Sequence, residues 1–312
     1  MSVEALMGVA LRLAESVEAL AALGAELRLR QDRRSPPPQI RALLLEAAEA
    51  VEPRVFDGID PSQEQAALGV VETVFRQALD LLEEPAREPG WTYEDPVILQ
   101  SQGQASRLIA RGIETLAAQR PEMQAALARK GSLLDVGTGV GRLAIEAALR
   151  FPALRVVGID TFEPALRLAR GNLAESPVPE RVELRRQGIE ELEDEAKFTA
   201  AWLPGPFIGL DVARHALPRI LPALEPGGWL IFGLMAPAST PLGDALAKLR
   251  ILRSGGQPWT AAAATDRLGI AGFDRIETFA PAPSIRFVIG RRPGPATSGS
   301  GSAAARTGRQ QI

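Results

Sequence analysis

The chain has 312 residues, 46% hydrophobic, 23% charged and 5% aromatic, and its 35 basic and 38 acidic side chains give a formal net charge of -3. These values are typical of a globular protein of one large or two modest domains, and the charge balance gives no general attraction to nucleic acid. The absence of cysteine excludes disulfides and thiolate chemistry, and the single histidine, His215, excludes any site that needs two.

The N-terminus lacks the basic start and the apolar run of a signal peptide, and no stretch of sequence is apolar for long enough to span a bilayer. We therefore expect a cytoplasmic protein with no membrane partner. A metal site is not expected either, because the usual thiolate and paired imidazole ligands are missing.

The N-terminal third is expected to be helical. Apolar spacing and proline positions predict helices over residues 3–29, 39–51, 61–83, 103–118 and 121–128. A stretch with Pro85, Pro89, Gly90 and Pro96 predicts a linker after the third helix, because proline fixes its backbone and lacks an N–H donor. Residues 1–84 are thus expected to form a helical domain, either a lid or a dimerisation unit, and residues 85–130 a linker with helices leading into the core.

From Ser132 onward, short apolar runs alternate with amphipathic helices. The predicted strands cover residues 133–136, 155–159, 182–184, 199–203 and 229–232. This alternation predicts a parallel sheet with right-handed crossovers. Residues 273–279 and 284–289 are too close together for such a crossover and predict an antiparallel pair. The tail, residues 293–312, is rich in proline, glycine, serine and alanine, and we expect it to be disordered.

A glycine-rich segment, Asp135 to Gly141, lies between the first predicted strand and the next helix. Its spacing is Asp-x-Gly-x-Gly-x-Gly, and the third glycine of a dinucleotide fingerprint falls instead on Arg142, which disfavours a nicotinamide-dependent oxidoreductase. Asp160 ends the second strand about twenty positions after Gly139, where a carboxylate can accept both hydroxyls of a ribose. The structural alternatives are that the glycines serve only to allow a tight turn and that Asp160 caps the following helix.

Four segments resemble the class I S-adenosylmethionine-dependent methyltransferases. They are Leu134–Gly141, Val157–Asp160, Leu224–Leu230 and Ala271–Phe273, the last followed by a closing hairpin. The resemblance covers about residues 131–292. It implies a Rossmann-like α/β fold, with a mainly parallel seven-stranded sheet, an antiparallel C-terminal hairpin and an α-helical N-terminal domain. It also implies S-adenosylmethionine as cofactor and S-adenosylhomocysteine as product.

The resemblance assigns cofactor roles by position. The residues implied to bind the cofactor are Asp135, Gly137, Thr138, Gly139, Asp160, Thr161, Gln187, Gly188, Ile189 and Leu203. The first four would line the methionine portion, and Asp160 would hold the ribose with Thr161 beside it. Gly188 stands where the family often has an acid for the adenine amino group. Adenine binding would then depend on the backbone of Gly188 and Ile189, with the Gln187 amide as a further candidate.

Acceptor residues are less clearly marked. The loop Leu203–Ile208 lacks the polar first residue and the proline pair of amino-group methyltransferases, so we expect Phe207 to be a pocket wall. Trp91 and Tyr93 could cover the cofactor or acceptor, or could simply pack the linker. His215 lies in a region comparable to that of the base of plant-type O-methyltransferases, without their surrounding motif, and the alternative is a solvated helix residue.

The sequence therefore predicts an S-adenosylmethionine-dependent methyltransferase acting on a small molecule, most readily at oxygen. The alternatives are a non-catalytic cofactor-binding scaffold or sensor and an N- or C-methyltransferase. No nucleic-acid partner is expected, and a homodimer through the N-terminal helices is possible. The acceptor itself cannot be named from the sequence.

Overall fold

The computed structural model describes residues 2–32 and 35–294. The α-helices of the described chain are α1 (Val3–Gln31), α2 (Pro38–Val51), α3 (Pro61–Glu83), α4 (Pro96–Ala118), α5 (Pro121–Ala128), α6 (Arg142–Arg150), α7 (Glu163–Ala174), α8 (Leu210–Ala223), α9 (Pro241–Arg253) and α10 (Ala261–Ile270). The strands are β1 (Ser132–Val136), β2 (Arg155–Asp160), β3 (Val182–Arg186), β4 (Phe198–Pro204), β5 (Leu224–Met235), β6 (Asp274–Ala282) and β7 (Ile285–Arg291).

The first three helices lie where the sequence predicts them. Asp60 caps α3 by accepting hydrogen bonds from the backbone N–H groups of Ser62 and Gln63 at 2.8 and 3.0 Å, and Pro61 occupies the first helical position. The second half of α1 packs on α3, where Gly24 faces Val71. The first half of α1, residues 3–18, buries no side chain.

The linker prediction is wrong at Pro96. Helix α4 begins there, well before the expected start near Gly103, because the Asp95 side chain accepts a 2.8 Å hydrogen bond from the Val97 N–H and proline at the first helical position loses no hydrogen bond. The longer α4 reaches the sheet through two glycines. Gly103 lies against Val140 and Arg142, and Gly112 lies against Phe287. Helix α4 is thus packed against the sheet region.

The seven strands form one sheet in the order β3-β2-β1-β4-β5-β7-β6. The first five strands run parallel, and β7 pairs antiparallel with both β5 and β6. The expected Rossmann-like fold with an antiparallel C-terminal hairpin is therefore confirmed. The carboxyl ends of β1, β2, β3 and β4 meet at one edge of this sheet, where open α/β sheets bind their ligands.

Buried side chains cover both faces of the sheet. One cluster contains Phe198 and Phe232, and the other contains Trp202 and Phe287. Helices α9 and α10, between β5 and β6, were not predicted from the sequence. Among the described residues no helix has the length and apolarity required to cross a membrane. Residues 295–312 of the predicted disordered tail lie outside the described residues.

Candidate cofactor and acceptor site

The glycine loop after β1 has a backbone shape that only glycine adopts readily. Gly137, Gly139 and Gly141 have φ angles of 65°, 56° and 75°, in the left-handed region. The N–H of Thr138 donates to the Ile159 carbonyl at 3.0 Å, which ties the loop to β2. An ideal Cβ placed on Gly139 would meet no atom closer than 4.0 Å. The loop therefore leaves open space into which a ligand can approach the backbone.

Asp135 lies beneath this loop and is 1% exposed. The Thr138 hydroxyl donates a 2.7 Å hydrogen bond to its Oδ2 atom. The pKa of Asp135 is raised to about 7, mainly by burial and also by the nearby charge of Asp160, although the hydrogen bond from Thr138 lowers it. Two acids close to one loop favour a ligand that brings positive charge.

Asp160 stands beside the glycine loop, as its position predicts. Its Oδ2 atom accepts a 2.8 Å hydrogen bond from the Gly139 N–H, and its Oδ1 atom accepts one at 2.9 Å from the Phe162 N–H. Burial raises the pKa of its carboxyl group. A carboxylate has about four lone-pair sites, so shaping the loop and accepting a hydroxyl are compatible roles. Thr161 follows it and is exposed.

The turn after β3 is next along the same edge. The Gln187 N–H donates to the Asp160 carbonyl at 3.0 Å. The Gln187 side-chain amide donates to the Glu191 carbonyl, and the Gly188 N–H donates to Glu191 Oε2, both at 2.9 Å. Ile189 is buried in the core. Of the polar groups predicted to contact adenine, the Gly188 N–H and a side-chain N–H of Gln187 are thus already used within the turn, and the role of the Ile189 backbone stays a prediction.

Leu203 lies at the end of β4 and is fully buried in the same core cluster as Ile189. Its side chain supports the sheet, whereas the turn that follows it, Gly205–Phe207, reaches the surface. The fully buried Leu203 side chain therefore presents no accessible surface to the site.

The structure brings the three predicted acceptor residues together. The Trp91 ring makes edge-to-face contacts with Tyr93 and Phe207, each with ring centroids 5.5 Å apart. Trp91 also packs, as does Phe162 after β2, against a buried cluster that contains Val140 of the glycine loop. Phe207 is 42% exposed. An aromatic wall, partly exposed at Phe207, therefore stands beside the glycine loop.

Behind this wall lies a polar network that the sequence did not reveal. Asp80 Oδ2 accepts 2.7 Å hydrogen bonds from the Tyr93 hydroxyl and from Arg253 Nη2. Burial opposes the charge of Asp80, but these hydrogen bonds lower its pKa overall. Burial, followed by the bond to Asp80, raises the pKa of Tyr93. The partners come from α3, the linker and α9, so no local spacing could have indicated them.

A second unpredicted network holds the glycine loop. The buried Asn172 side chain donates to the Val140 carbonyl at 2.8 Å and to Gln100 Oε1 at 3.2 Å. Its Oδ1 atom accepts a 2.9 Å hydrogen bond from Arg142 Nη2. Helices α4, α6 and α7 are thereby joined at the loop.

His215 is exposed on α8, and its Nδ1 atom lies 2.8 Å from the Asp211 carbonyl one turn earlier. Within the described chain no hydrogen bond or ring contact connects it to the glycine loop, Asp160 or the aromatic wall. Its position favours the solvated-helix alternative, and a catalytic role stays an untested prediction.

Comparison with known proteins agrees with this geometry. Residues 133–228 match the model of a family described as a methyltransferase domain. A ribosomal protein L11 methyltransferase from Sorangium cellulosum is 32% identical over 149 residues, which is 46% of this chain and 45% of that protein. The chain spans less than half the length of the curated relatives it matches.

Solved structures resemble the chain over nearly its whole length. An O-methyltransferase family protein from Burkholderia thailandensis superposes with a TM-score of 0.67 at 16% identity, covering 94% of this chain and 99% of that one. Human N-acetylserotonin methyltransferase, in complex with S-adenosylmethionine, gives 0.61 at 16% identity, covering 92% and 98%. Residues 133–228 thus match the methyltransferase-domain model, and the chain, with its N-terminal helical region, shares the fold of these solved methyltransferases.

Proposed function

We propose that the chain is an S-adenosylmethionine-dependent methyltransferase that acts at an oxygen atom of a small molecule. The observation that carries this proposal is the meeting of the open glycine loop, Asp160 and the aromatic wall at one edge of the sheet. The family match supports the activity, and the fold shared with O-methyltransferases supports the type of acceptor.

The cofactor-side residues suit an amino-acid tail joined to a ribose. The open space at Gly139 admits the tail, and the carboxyl groups of Asp135 and Asp160 lie where they can attract its positive charges. The free lone pairs of Asp160 accept the ribose hydroxyls. When bound, the cofactor supplies an electrophilic methyl group on a sulfonium, and the loop fixes the direction from which an acceptor must come.

The acceptor side is apolar. Trp91 and Phe207 offer ring faces and exclude water, which holds a flat or apolar acceptor in attack geometry. The turn after β4 packs so tightly that an ideal Cβ on Gly205 would lie 2.8 Å from the Phe232 ring. This turn carries no side-chain carbonyl to accept a hydrogen bond from an amine, and that favours oxygen over nitrogen as the acceptor atom.

The transfer needs no dedicated base if the acceptor oxygen is already ionised, because an in-line displacement depends mainly on alignment. The exposed, backbone-bonded position of His215 agrees with such a mechanism. In this mechanism, Trp91 and Phe207 promote the methyl transfer by orienting and desolvating the acceptor.

A second copy of the chain is the proposed partner of α1. Its first half buries nothing, yet it exposes Leu6 by 60%, Leu11 by 68% and Leu13 by 56%. A helix that exposes large apolar side chains gains stability when a partner covers them. Light scattering should find a dimer that Leu6→Glu/Leu13→Glu converts to monomers, whereas Leu108→Glu, at an exposed leucine of α4, should leave it intact. A monomeric wild type would refute this partner.

Release of S-adenosylhomocysteine, measured over a panel of phenols, carboxylic acids, amines and ribosomal proteins, tests the function. Turnover confined to small oxygen acceptors is the expected result. Binding of the cofactor without release on any acceptor would favour the scaffold or sensor, and turnover on a protein would favour a macromolecular substrate like that named for the L11 methyltransferase.

A further inference from the structure

The carboxylate of Asp80, on α3, binds donors from two segments that are far apart in the chain. Its Oδ2 atom accepts 2.7 Å hydrogen bonds from the Tyr93 hydroxyl, in the linker, and from Arg253 Nη2, at the end of α9. Arg87 Nη2, also in the linker, lies 3.5 Å from the same oxygen. The side chains of Asp80 and Arg253 are only 21% and 12% exposed, so salt screens this pair weakly. One carboxylate oxygen therefore joins α3, the linker and α9.

The bond to Tyr93 fixes the half of the aromatic wall that contains Trp91. The Tyr93 ring meets the Trp91 ring edge to face, and the Arg87 guanidinium lies 5.4 Å from the centroid of the Tyr93 ring. Arg87 Nη1 also donates to the Gly90 carbonyl at 3.0 Å, which holds the backbone just before Trp91. The orientation of Trp91 therefore depends on a series of contacts that ends at Asp80.

The bond to Arg253 fixes the other half of the wall, the turn that carries Phe207. The Gly90 N–H donates to the Arg253 carbonyl at 2.9 Å, which joins the linker backbone to the end of α9. Three residues later, an ideal Cβ on Gly256 would overlap the carbonyl oxygen that precedes Phe207 and would lie 3.2 Å from the Phe207 nitrogen. The position of Phe207 therefore depends on where α9 ends, and Arg253 joins that end to Asp80.

The same carboxylate has no polar link to the cofactor residues. Among the described residues, no hydrogen bond or ion pair connects Asp80, Tyr93 or Arg253 to the glycine loop or to Asp160. A change at Asp80 is thus expected to affect the acceptor side of the site and not the cofactor side.

We propose that Asp80 is a positioning residue for methyl transfer, because its carboxylate sets the relative orientation of the two acceptor-side rings, Trp91 and Phe207. Tyr93 transmits this effect to the first ring, and Arg253 transmits it to the second. The inference rests on the proposed function, since it concerns the acceptor of the same reaction. Removal of the charge at position 80 should therefore impair use of the acceptor and leave cofactor binding unchanged.

Kinetics of Asp80→Asn test this role, with the phenol or carboxylic acid that gives the most S-adenosylhomocysteine release as acceptor. The variant should lower kcat/KM for this acceptor about tenfold or more, as expected for weakened hydrogen bonds to a charged group, and should leave the Kd of S-adenosylhomocysteine within about twofold. Glu72→Gln is the matched control. Glu72 is an ion-paired carboxylate on the same helix with a similar exposure, 17%, but its partner is Arg28 of α1, so both values should stay unchanged.

Further variants show whether Asp80 acts through the two rings. In Trp91→Ala/Phe207→Ala, where neither ring remains, Asp80→Asn should change the residual kcat/KM by less than about twofold, because the effects of coupled residues are not additive. Tyr93→Phe keeps its ring and removes one of the two hydrogen bonds. It should lower kcat/KM about threefold, and it tests the proposal even if Asp80→Asn does not fold.

Fluorine NMR of protein labelled with 5-fluorotryptophan follows Trp91 without an acceptor. The chain has four tryptophans, and Trp91→Phe and Trp229→Phe identify two of the resonances. Asp80→Asn should shift the Trp91 resonance and leave that of Trp229, in the sheet core, in place. An unmoved Trp91 resonance, an unchanged kcat/KM, or a full effect of Asp80→Asn without the rings would overturn the proposal. No release of S-adenosylhomocysteine by the wild type on any acceptor would instead overturn the proposed function.

Discussion

Replacement of Gly103 by alanine should loosen the contact between α4 and the glycine loop. The new Cβ would overlap Val140 Cγ2 and would lie 2.9 Å from Arg142 Cγ. Val140 is 2% exposed, so it cannot move without displacing its neighbours. Overpacking of this kind costs about 1–3 kcal/mol. Alanine regains up to about 1 kcal/mol of helix propensity, which leaves a net loss of up to about 2 kcal/mol.

Gly171→Ala is the matched control. Gly171 also lies inside a helix, α7, but it is exposed and an added Cβ meets nothing within 4 Å. This variant should gain about 0.5–1 kcal/mol. The difference in unfolding free energy between the two variants, measured in urea, thus isolates the overlap at Val140. Equal stability of Gly103→Ala and Gly171→Ala would refute the packing argument.

Three further predictions concern single residues that the sequence singles out. The folded pKa of Asp135 is raised, mainly by burial, from 3.8 to about 7, so between these pH values the folded state binds a proton that the unfolded state has lost. The free energy of unfolding should therefore fall as the pH rises through this window. Asp135→Asn should flatten that part of the pH–stability curve, and an unchanged slope would contradict the assignment. His215→Asn should leave turnover and cofactor affinity within about twofold, since one lost hydrogen bond of an exposed ring has little effect; abolished turnover would restore the histidine as a base. Phe207→Ala should raise the KM of an acceptor about tenfold, because it removes an apolar contact surface. The affinity for S-adenosylhomocysteine should not change to match. An unaltered KM would show that Phe207 is not part of the acceptor site.

Local patterns were enough to predict the sheet. The strand-to-helix turn at Gly137–Gly141, the acid at Asp160 and the short connection before β7 each depend on residues close in sequence, and the structure has all three in the expected places. The linker interpretation of Pro85, Pro89, Gly90 and Pro96 misplaces the start of α4, because Asp95 and Pro96 also fit the cap and the first position of a helix.

Features that join distant segments could not be predicted in this way. Asp80 meets Tyr93 and Arg253 only after α3, the linker and α9 have packed. Asn172 likewise reaches the Val140 carbonyl across the fold.

The most direct test of the proposed cofactor site is a calorimetric titration of S-adenosylhomocysteine into the wild-type chain and into Asp160→Asn. The wild type should give a saturable one-site isotherm and a rise in melting temperature at excess ligand. The Asp160→Asn variant should bind at least tenfold more weakly, because its neutral amide is a poorer acceptor for the ribose hydroxyls. An absence of heat and of any thermal shift in the wild type would contradict the proposed site.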